Sequence, residues 1–267
     1  MDKEIEQLIA LYKKVSKHSN YQILYPSLQK IISQDKELYI KSRYEQERFD
    51  YICSKINFNN KICGDVGGNT GYFSFAALEQ DAEFIYYYDG NYTHANFVTL
   101  ASQILKNNHK LEVNAEYINL AEESLTNKVD ILFLLNVLHH IGDDYGTLST
   151  NNVLEHITNV LNALATQTDI LIFQMGFNWK GNRNLPIFKS GTKEEMVNFI
   201  HEQTKTHWDI QDIGIAKKQN NNTVKYNDLS CKNIHRNDEL GEFLNRPLFI
   251  MRSKILIDKA KYIDTTK

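Results

Sequence analysis

The chain has 267 residues, of which 42% are hydrophobic and 24% charged, and its formal net charge is −3. This composition is typical of a folded globular protein and excludes a wholly disordered chain. The net charge gives no sign of the basic face that binding to a phosphate backbone requires, so it disfavours nucleic acid as a partner.

The first part of the chain is predicted to be helical. Residues 1–58 carry apolar side chains at helical spacing in three stretches, 5–15, 24–32 and roughly 35–55. They predict an N-terminal helical cap. The cap either completes the hydrophobic core or forms a lid over a site.

Short apolar runs alternate with helical patterns in residues 59–267, which indicates βα units, a mainly parallel sheet and flanking helices. Strands are predicted at 62–66, 84–88, 111–118, 131–137, 170–174, 208–216 and 248–257. Helices are predicted at 72–80, 93–106 and 151–165, and another begins near Thr192. The polar stretch 217–246 is too long for a tight turn, so we expect a functional or disordered insertion between the last two strands.

A glycine-rich loop joins the first predicted strand to the next helix. Residues 65–71 read Asp-Val-Gly-Gly-Asn-Thr-Gly. Such a loop lets a ligand approach the backbone, and the following helix offers unpaired N–H groups. A phosphate, a pyrophosphate or the amino-acid end of S-adenosylmethionine could use it. The loop lacks the Gly-Lys-Ser/Thr of a Walker loop and the G-x-G-x-x-G spacing, and Asp65 suits a cationic ligand better than a pyrophosphate.

This loop resembles the first motif of the class I S-adenosylmethionine-dependent methyltransferases, D-x-G-x-G-x-G, with Asn69 in place of the second glycine. The resemblance covers roughly residues 40–255 and implies a Rossmann-like, seven-stranded, mainly parallel sheet. It also implies S-adenosylmethionine as the cofactor and S-adenosylhomocysteine as the product. The loop residues expected to contact the cofactor are Asp65, Gly67, Gly68, Asn69 and Gly71.

Further cofactor contacts are predicted where the next strands end. Asp89 closes the second strand, followed by Gly90, and its carboxylate can accept hydrogen bonds from both ribose hydroxyls of a nucleoside. By the resemblance, Asn119 receives the adenine amino group after the third strand, and Asn136 ends the fourth. Arg48 of the cap either meets the cofactor carboxylate or is a surface charge.

The run Asn-Val-Leu-His-His at 136–140 is similar to one found in many small-molecule members of the family. Methyl transfer from a sulfonium is an in-line displacement, so the protein mainly aligns acceptor, methyl group and sulfur. His139 and His140 stand where the methyl group should point, and either could remove a proton at neutral pH. We expect only one of them to face the site. Asp143 and Asp144 could hold a divalent metal together with the histidines, but solvated loop carboxylates are the commoner explanation, so no metal site is predicted.

Acceptor contacts are expected from loops after the fifth strand and before the last one. Lys180 and Arg183 suit a phosphate or a carboxylate, whereas Trp179 either contacts the acceptor or anchors its loop. The residues predicted to bind the acceptor are Tyr44, Asn178, Trp179, Lys180, Arg183, Arg236 and Arg246.

These features predict O-methylation of a small polar acceptor, such as a phosphorylated or nucleotide-linked sugar precursor of a bacterial surface polysaccharide. One alternative is a tRNA or rRNA methyltransferase, which would usually show a basic surface or an RNA-binding module. Another is a non-catalytic nucleoside-binding pseudoenzyme, which Asn69 and Asn119 leave open. The chain shows no secretory signal, no long apolar segment and no Cys-x-x-Cys pair, so we expect a cytoplasmic protein without a membrane partner, a disulfide framework or structural zinc.

Overall fold

The computed structural model describes residues 3–14, 22–32, 42–118, 120, 125–142 and 153–257. Three residues discussed above, Asn119, Asp143 and Asp144, lie outside the described residues, as does the start of the third predicted helix. No described helix combines the length and the apolarity needed to cross a membrane.

The described strands form a single sheet. They are β1 (Ile62–Val66), β2 (Phe84–Tyr88), β3 (Leu111–Asn114), β4 (Val129–Leu135), β5 (Thr168–Gln174), β6 (Trp208–Lys218), β7 (Val224–Asp228) and β8 (Leu248–Ser253). Their order is β3-β2-β1-β4-β5-β8-β6-β7. The first five strands pair in parallel, whereas β8, β6 and β7 pair in antiparallel fashion with their neighbours. The predicted Rossmann-like, mainly parallel sheet is confirmed, with eight strands instead of seven.

Helices cover both faces of this sheet. They are α1 (Lys3–Lys13), α2 (Pro26–Ile32), α3 (Glu45–Cys53), α4 (Tyr72–Glu79), α5 (Tyr92–Ile104), α6 (Val153–Leu164), α7 (Lys193–Thr204) and the short α8 (Gly241–Leu244). Alternate side chains of β4 point to opposite faces, as strand geometry requires. Ile131 and Phe133 join the core beneath α1 to α5, and Leu132 and Leu134 join the core beneath α6 and α7.

The cap packs on the same face as α4 and α5. Tyr12 of α1 lies against Phe97 of α5, with ring centroids 5.9 Å apart. Phe49 of α3 stacks on Phe58, which in turn stacks on Phe133 of the central strand β4. Helices α1 to α3 therefore share one hydrophobic core with the sheet.

The stretch 217–246 differs from its prediction. Strand β6 continues to Lys218, and a tight turn at 219–223 leads directly into β7. Gln219 N–H donates to the Thr223 carbonyl at 2.8 Å, and Asn222 has a φ of 65°. Asparagine tolerates left-handed backbone, so the Asn-rich run forms a hairpin turn that we had expected to be part of a loop.

Two other boundaries are shorter than expected. Strand β3 ends at Asn114 and not at residue 118, and β8 ends at Ser253, after which residues 254–257 are helical. Tyr44 has a φ of 59° and precedes α3, so it lies outside the helix that carries Arg48. Left-handed backbone stops a right-handed helix from starting earlier.

Candidate functional site

A cavity of about 430 Å³ opens at the carboxyl ends of β1, β2 and β4. Here β1 lies between β2 and β4, and the strand order reverses at this point, which is where open α/β sheets bind ligands. Among the residues predicted from the sequence, those that line the cavity are Arg48, Asp65, Gly67, Gly68, Asn69, Asp89, Asn136, His139, His140, Lys180 and Arg246. The fold therefore brings most of the predicted cofactor and catalytic residues together.

Asn69 preserves the backbone of the glycine-rich loop. It occupies the position of the motif's second glycine and has a φ of 53°, in the left-handed region. Asparagine enters this region more readily than other side chains, because its short polar group bonds to nearby backbone. Here its Oδ1 accepts a hydrogen bond from Thr70 N–H at 2.9 Å. The departure from the glycine motif is therefore compatible with the loop conformation.

Gly68 is required by close packing. A Cβ at this position would lie 2.5 Å from a ring carbon of Tyr87 and 2.8 Å from Asp65 Oδ2. Both neighbours are buried, and the Tyr87 hydroxyl donates to the Asn69 carbonyl. The loop is thus held against β2 with no room for a side chain.

Asp65 lies beneath the loop at the end of β1. Its carboxylate accepts a hydrogen bond from Ser74 Oγ at 2.6 Å. Burial raises the pKa of Asp65 to about 7, and the nearby charge of Asp89 acts in the same direction. A positively charged ligand group in the cavity would favour the ionised carboxylate.

Asp89 is placed to accept further hydrogen bonds. Its Oδ2 accepts from Asn69 N–H at 2.9 Å, its Oδ1 accepts from Asn91 N–H at 2.8 Å, and His94 Nδ1 lies 3.4 Å from Oδ2. A carboxylate offers about four acceptor positions, so capacity remains for hydroxyl groups in the cavity. Asp89 has the position and the chemistry that a ribose-binding residue needs.

Gly90 and Gly71 do not line the cavity, although both were predicted to bind the cofactor. Gly71 instead precedes α4 with a φ of 76°. Gly90 is covered by Tyr117, because a Cβ on Gly90 would lie 2.1 Å from that ring. Tyr117 itself lines the cavity and is 46% exposed. No motif or spacing in the sequence singles out Tyr117.

The cap supplies one wall of the cavity through residues that sequence reasoning mostly missed. Glu45 is fully buried, its two carboxylate oxygens accept from Arg43 N–H at 3.0 and 2.9 Å, and burial raises its pKa. Arg48 lies 3.7 Å from Glu45 and donates to Gln174 Oε1 at 3.3 Å. Gln22 Oε1 accepts from Thr70 Oγ1 and from the first amide of α4, each at 3.0 Å. The cap therefore both completes the core and forms part of the site.

Three arginines converge on the ring of Phe243 in α8. The guanidinium carbons of Arg43, Arg48 and Arg246 lie 5.1, 5.3 and 5.2 Å from its centroid. Arg246 also donates to Glu242 Oε1 at 2.8 and 3.1 Å and to Asn136 Oδ1 at 2.8 Å. The site therefore holds a cluster of three guanidiniums, of which those of Arg48 and Arg246 are buried beside the carboxylates of Glu45 and Glu242.

Both predicted catalytic histidines reach the cavity. They lie in the 3₁₀ turn Leu138–His140, with ring centroids 4.3 Å apart. His139 is buried against Gly176, whose Cβ would lie 2.9 Å from the His139 ring. His140 is half-buried and lies on the side of Gly181. His140 is thus the more accessible to an acceptor.

The predicted acceptor residues are divided between two places. Lys180 and Arg246 line the main cavity, whereas Asn178, Arg183 and Arg236 line a neighbouring cavity of about 370 Å³. Glu242 lines both cavities, so they are adjacent. Neither lining includes Trp179 or Tyr44.

Trp179 anchors its loop, which was one of the two roles considered for it. Its Nε1–H donates to the Ile141 carbonyl at 2.7 Å. Lys180 follows in the left-handed region with a φ of 54°, and its Nζ lies 4.5 Å from the Trp179 ring. No group of three or more His, Cys, Asp or Glu within the described residues is arranged to hold a metal ion.

No family model matches the chain. Sequence comparison finds tRNA U34 carboxymethyltransferases. The protein from Aliarcobacter butzleri is 29% identical over 140 residues, which are 49% of this chain and 44% of the relative. The protein from Campylobacter concisus is 30% identical over 112 residues, 40% of this chain and 36% of the relative. The matched part thus spans less than half of either relative.

Structure comparison finds the bifunctional kinase-methyltransferase WbdD, with a TM-score of 0.52 and 14% identity, over 92% of this chain and 46% of that chain. The chain has a Rossmann-like methyltransferase fold.

These relatives correct one expectation. The formal net charge of −3 led us to disfavour nucleic acid as a partner, yet the curated relatives are named for their action on tRNA. Net charge averages over the whole surface, whereas a phosphate backbone responds to the charges at its own contact face. The expectation was therefore wrong.

Proposed function

We propose that the chain is an S-adenosylmethionine-dependent transferase whose acceptor is tRNA. The observation that carries the proposal is the single cavity that joins the glycine-rich loop, Asp89 and the two histidines. The names of the sequence relatives support tRNA over the small polar acceptor considered first.

The charges in the cavity suit the cofactor. Its nucleoside would lie against Asp89, whose carboxylate accepts from the ribose hydroxyls. Its amino-acid end carries one ammonium and one carboxylate. The ammonium would lie near Asp65 or Glu45, and the carboxylate near Arg43 or Arg48, because all four side chains line the same cavity. When bound, the cofactor supplies a sulfonium-linked carbon that a nucleophile can attack.

The protein's own residues then align the acceptor and accept its proton. The rate of an in-line displacement rises most when the protein holds the two reacting groups close together and aligned. His140 is the more exposed histidine and is the general base in this proposal, while His139 is held by packing against Gly176. Lys180 lies at the same cavity and can contact an acceptor phosphate.

A second candidate concerns the group that is transferred. The relatives are named carboxymethyltransferases, and a carboxymethyl group adds a carboxylate to the donor. Three guanidiniums surround Phe243, more than the single carboxylate of methionine requires. Arginine is well suited to bind a carboxylate through two parallel hydrogen bonds. This cluster favours carboxymethyl transfer over methyl transfer.

Calorimetric titration with S-adenosylhomocysteine tests the cofactor site. We expect binding by the wild type and its loss in Asp89→Ala, because the ribose acceptor is removed. Asp209→Ala, a change of the same type at an exposed position on β6, should bind as the wild type does. Well-folded wild-type protein that does not bind would contradict the proposal.

Incubation with tRNA and then with a panel of nucleotide-linked sugars tests the acceptor. Mass spectrometry of the products distinguishes an added methyl group from an added carboxymethyl group when each donor is supplied separately. Modified tRNA is the expected product. Modification of the sugars alone would refute tRNA as the acceptor, and cofactor binding without any product would indicate a pseudoenzyme.

A further inference from the structure

Three lysines lie on the hairpin of β6 and β7. Lys217 and Lys225 are paired directly across the two strands and share one face of the hairpin, whereas Lys218, the next residue of β6, points to the other face. All three are exposed, and within the described residues none of their ammonium groups has a hydrogen bond or an ion pair. Like charges opposite each other on neighbouring strands destabilise a sheet. The Lys217–Lys225 pair therefore lowers the stability of the unbound protein, and a bound anion would restore that stability.

The hairpin points toward the same edge of the sheet as the main cavity. Strand β8 is antiparallel to β5 and β6 is antiparallel to β8, so β6 runs in the direction of β5. Gly214 pairs with Leu248, and β6 continues four residues further, to Lys218. At about 3.4 Å per residue, the hairpin extends roughly 14 Å beyond that pair.

The base of the hairpin is fixed against the wall of the cavity. Tyr226 follows Lys225 and is buried, and its ring centroid lies 6.3 Å from that of Tyr51 in α3. Burial raises the pKa of Tyr226, while the charges of Arg48 and Arg246 act to lower it. Tyr51 also donates to Asp228 Oδ1 at 2.9 Å, so β7 is held against the helix that carries Arg48. A rigid link of this kind fixes the lysines relative to the cavity.

We infer that residues 217–225, the lysine hairpin, contact the phosphate backbone of the RNA acceptor beside the nucleotide that enters the cavity. This inference rests on the proposed function. The partner is a polyanion longer than one nucleotide, because two exposed cations on one face of the hairpin and a third on the other offer more than one phosphate contact at the edge of the sheet that holds the cavity. The turn at 219–223 is polar, as expected for a surface that meets RNA.

Edge strands also carry lysines to prevent pairing with other chains. Protection of the sheet edge needs only the charge on β7, which is the edge strand. It predicts aggregation when Lys225 is replaced. It predicts no change in RNA affinity.

The test compares two triple variants with the same change in net charge. The first is Lys217→Gln, Lys218→Gln and Lys225→Gln. The matched control is Lys61→Gln, Lys110→Gln and Lys128→Gln, because these lysines precede β1, β3 and β4 at the opposite edge of the sheet. A third variant, the arginine protein, carries Lys217→Arg, Lys218→Arg and Lys225→Arg and keeps the charge. Affinity for an unmodified tRNA transcript is measured over a range of salt concentrations, alongside S-adenosylhomocysteine binding.

We expect the hairpin variant to bind tRNA at least about tenfold more weakly than the wild type. The slope of log affinity against log salt should fall by about 2, which corresponds to three lost phosphate contacts. The control and the arginine protein should resemble the wild type, and all should bind S-adenosylhomocysteine equally.

Equal losses in both glutamine variants, or an unchanged salt slope in the hairpin variant, would overturn the inference and leave the proposed function standing. Aggregation of the hairpin variant with unchanged RNA affinity would also overturn it, in favour of edge protection. A wild type that binds S-adenosylhomocysteine but no tRNA would overturn both the inference and the proposed acceptor.

Discussion

Replacing Gly68 by alanine adds one methyl group at the most tightly packed point of the cofactor loop. The new Cβ would lie 2.5 and 2.7 Å from two carbons of the Tyr87 ring and 2.8 Å from Asp65 Oδ2. Real Cβ atoms do not approach other heavy atoms so closely, so either the loop or the neighbours must move. Tyr87 is fully buried and Asp65 accepts a hydrogen bond from Ser74, so the loop is the part that must move.

Inserting a methyl group into a packed interior costs about 1–3 kcal/mol. A value of about 2 kcal/mol corresponds to a fall of roughly 4–8 °C in Tm for a chain of this size. Displacing the loop also moves Asn69 N–H away from Asp89 Oδ2, a contact of 2.9 Å. We therefore expect Gly68→Ala to lose affinity for S-adenosylhomocysteine by more than its loss of stability alone explains.

Thermal unfolding and calorimetric titration measure the two effects. The control is Gly241→Ala, where a Cβ meets nothing within 4 Å and only the φ of 67° opposes the change. Gly241 has a φ of 67° and a ψ of 178°, a region essentially restricted to glycine, so that variant reports backbone strain alone, about 1–3 kcal/mol, whereas Gly68 has no positive φ and its substitution reports steric overlap. The steric reasoning is refuted if Gly68→Ala unfolds within about a degree of the wild type and binds the cofactor product with unchanged affinity.

The remaining predictions concern Asp65 and Asn69. Because the folded-state pKa of Asp65 is raised to about 7, its carboxyl favours folding below the ordinary Asp pKa and loses that contribution as pH rises through about 7. Denaturant unfolding of Asp65→Asn from pH 4 to 8 should therefore show a smaller loss of stability with rising pH than the wild type, and parallel curves would contradict the burial argument. Asn69→Gly should bind S-adenosylhomocysteine as the wild type does, whereas Asn69→Val should weaken binding and lower Tm, since a β-branched residue resists a φ of 53°. Equal binding by the two variants in calorimetry would show that the left-handed conformation is unnecessary.

The sequence predicted the parallel half of the fold well. Strands β1, β2 and β5 are buried apolar runs bounded by turn residues, and such runs locate strands without knowledge of their partners. The hairpin of β6 and β7 was missed because Asn220 and its neighbours have the composition of a loop. Only the backbone pairing of β6 with β7, from Gly214 and Asp228 to Lys218 and Val224, shows that the flanking residues are strands.

The site was predicted where its residues follow a motif and missed where they come from distant parts of the chain. Asp65, Asn69 and Asp89 lie at strand ends whose order is fixed by the βα alternation. Gln22 and Glu45 reach the cavity only through the packing of the cap, which no local pattern specifies. The same holds for Phe243, because its ring is part of the site only through contacts with arginines from both ends of the chain.

The side-chain amide of Gln22 limits where this chain can be divided. It completes the hydrogen bonding of a loop about fifty residues later, at Thr70 and Tyr72. A chimera that joins the sheet of this protein to a foreign N-terminal segment would leave the first amide of α4 without that acceptor. The unit that can be exchanged between relatives therefore begins before Gln22.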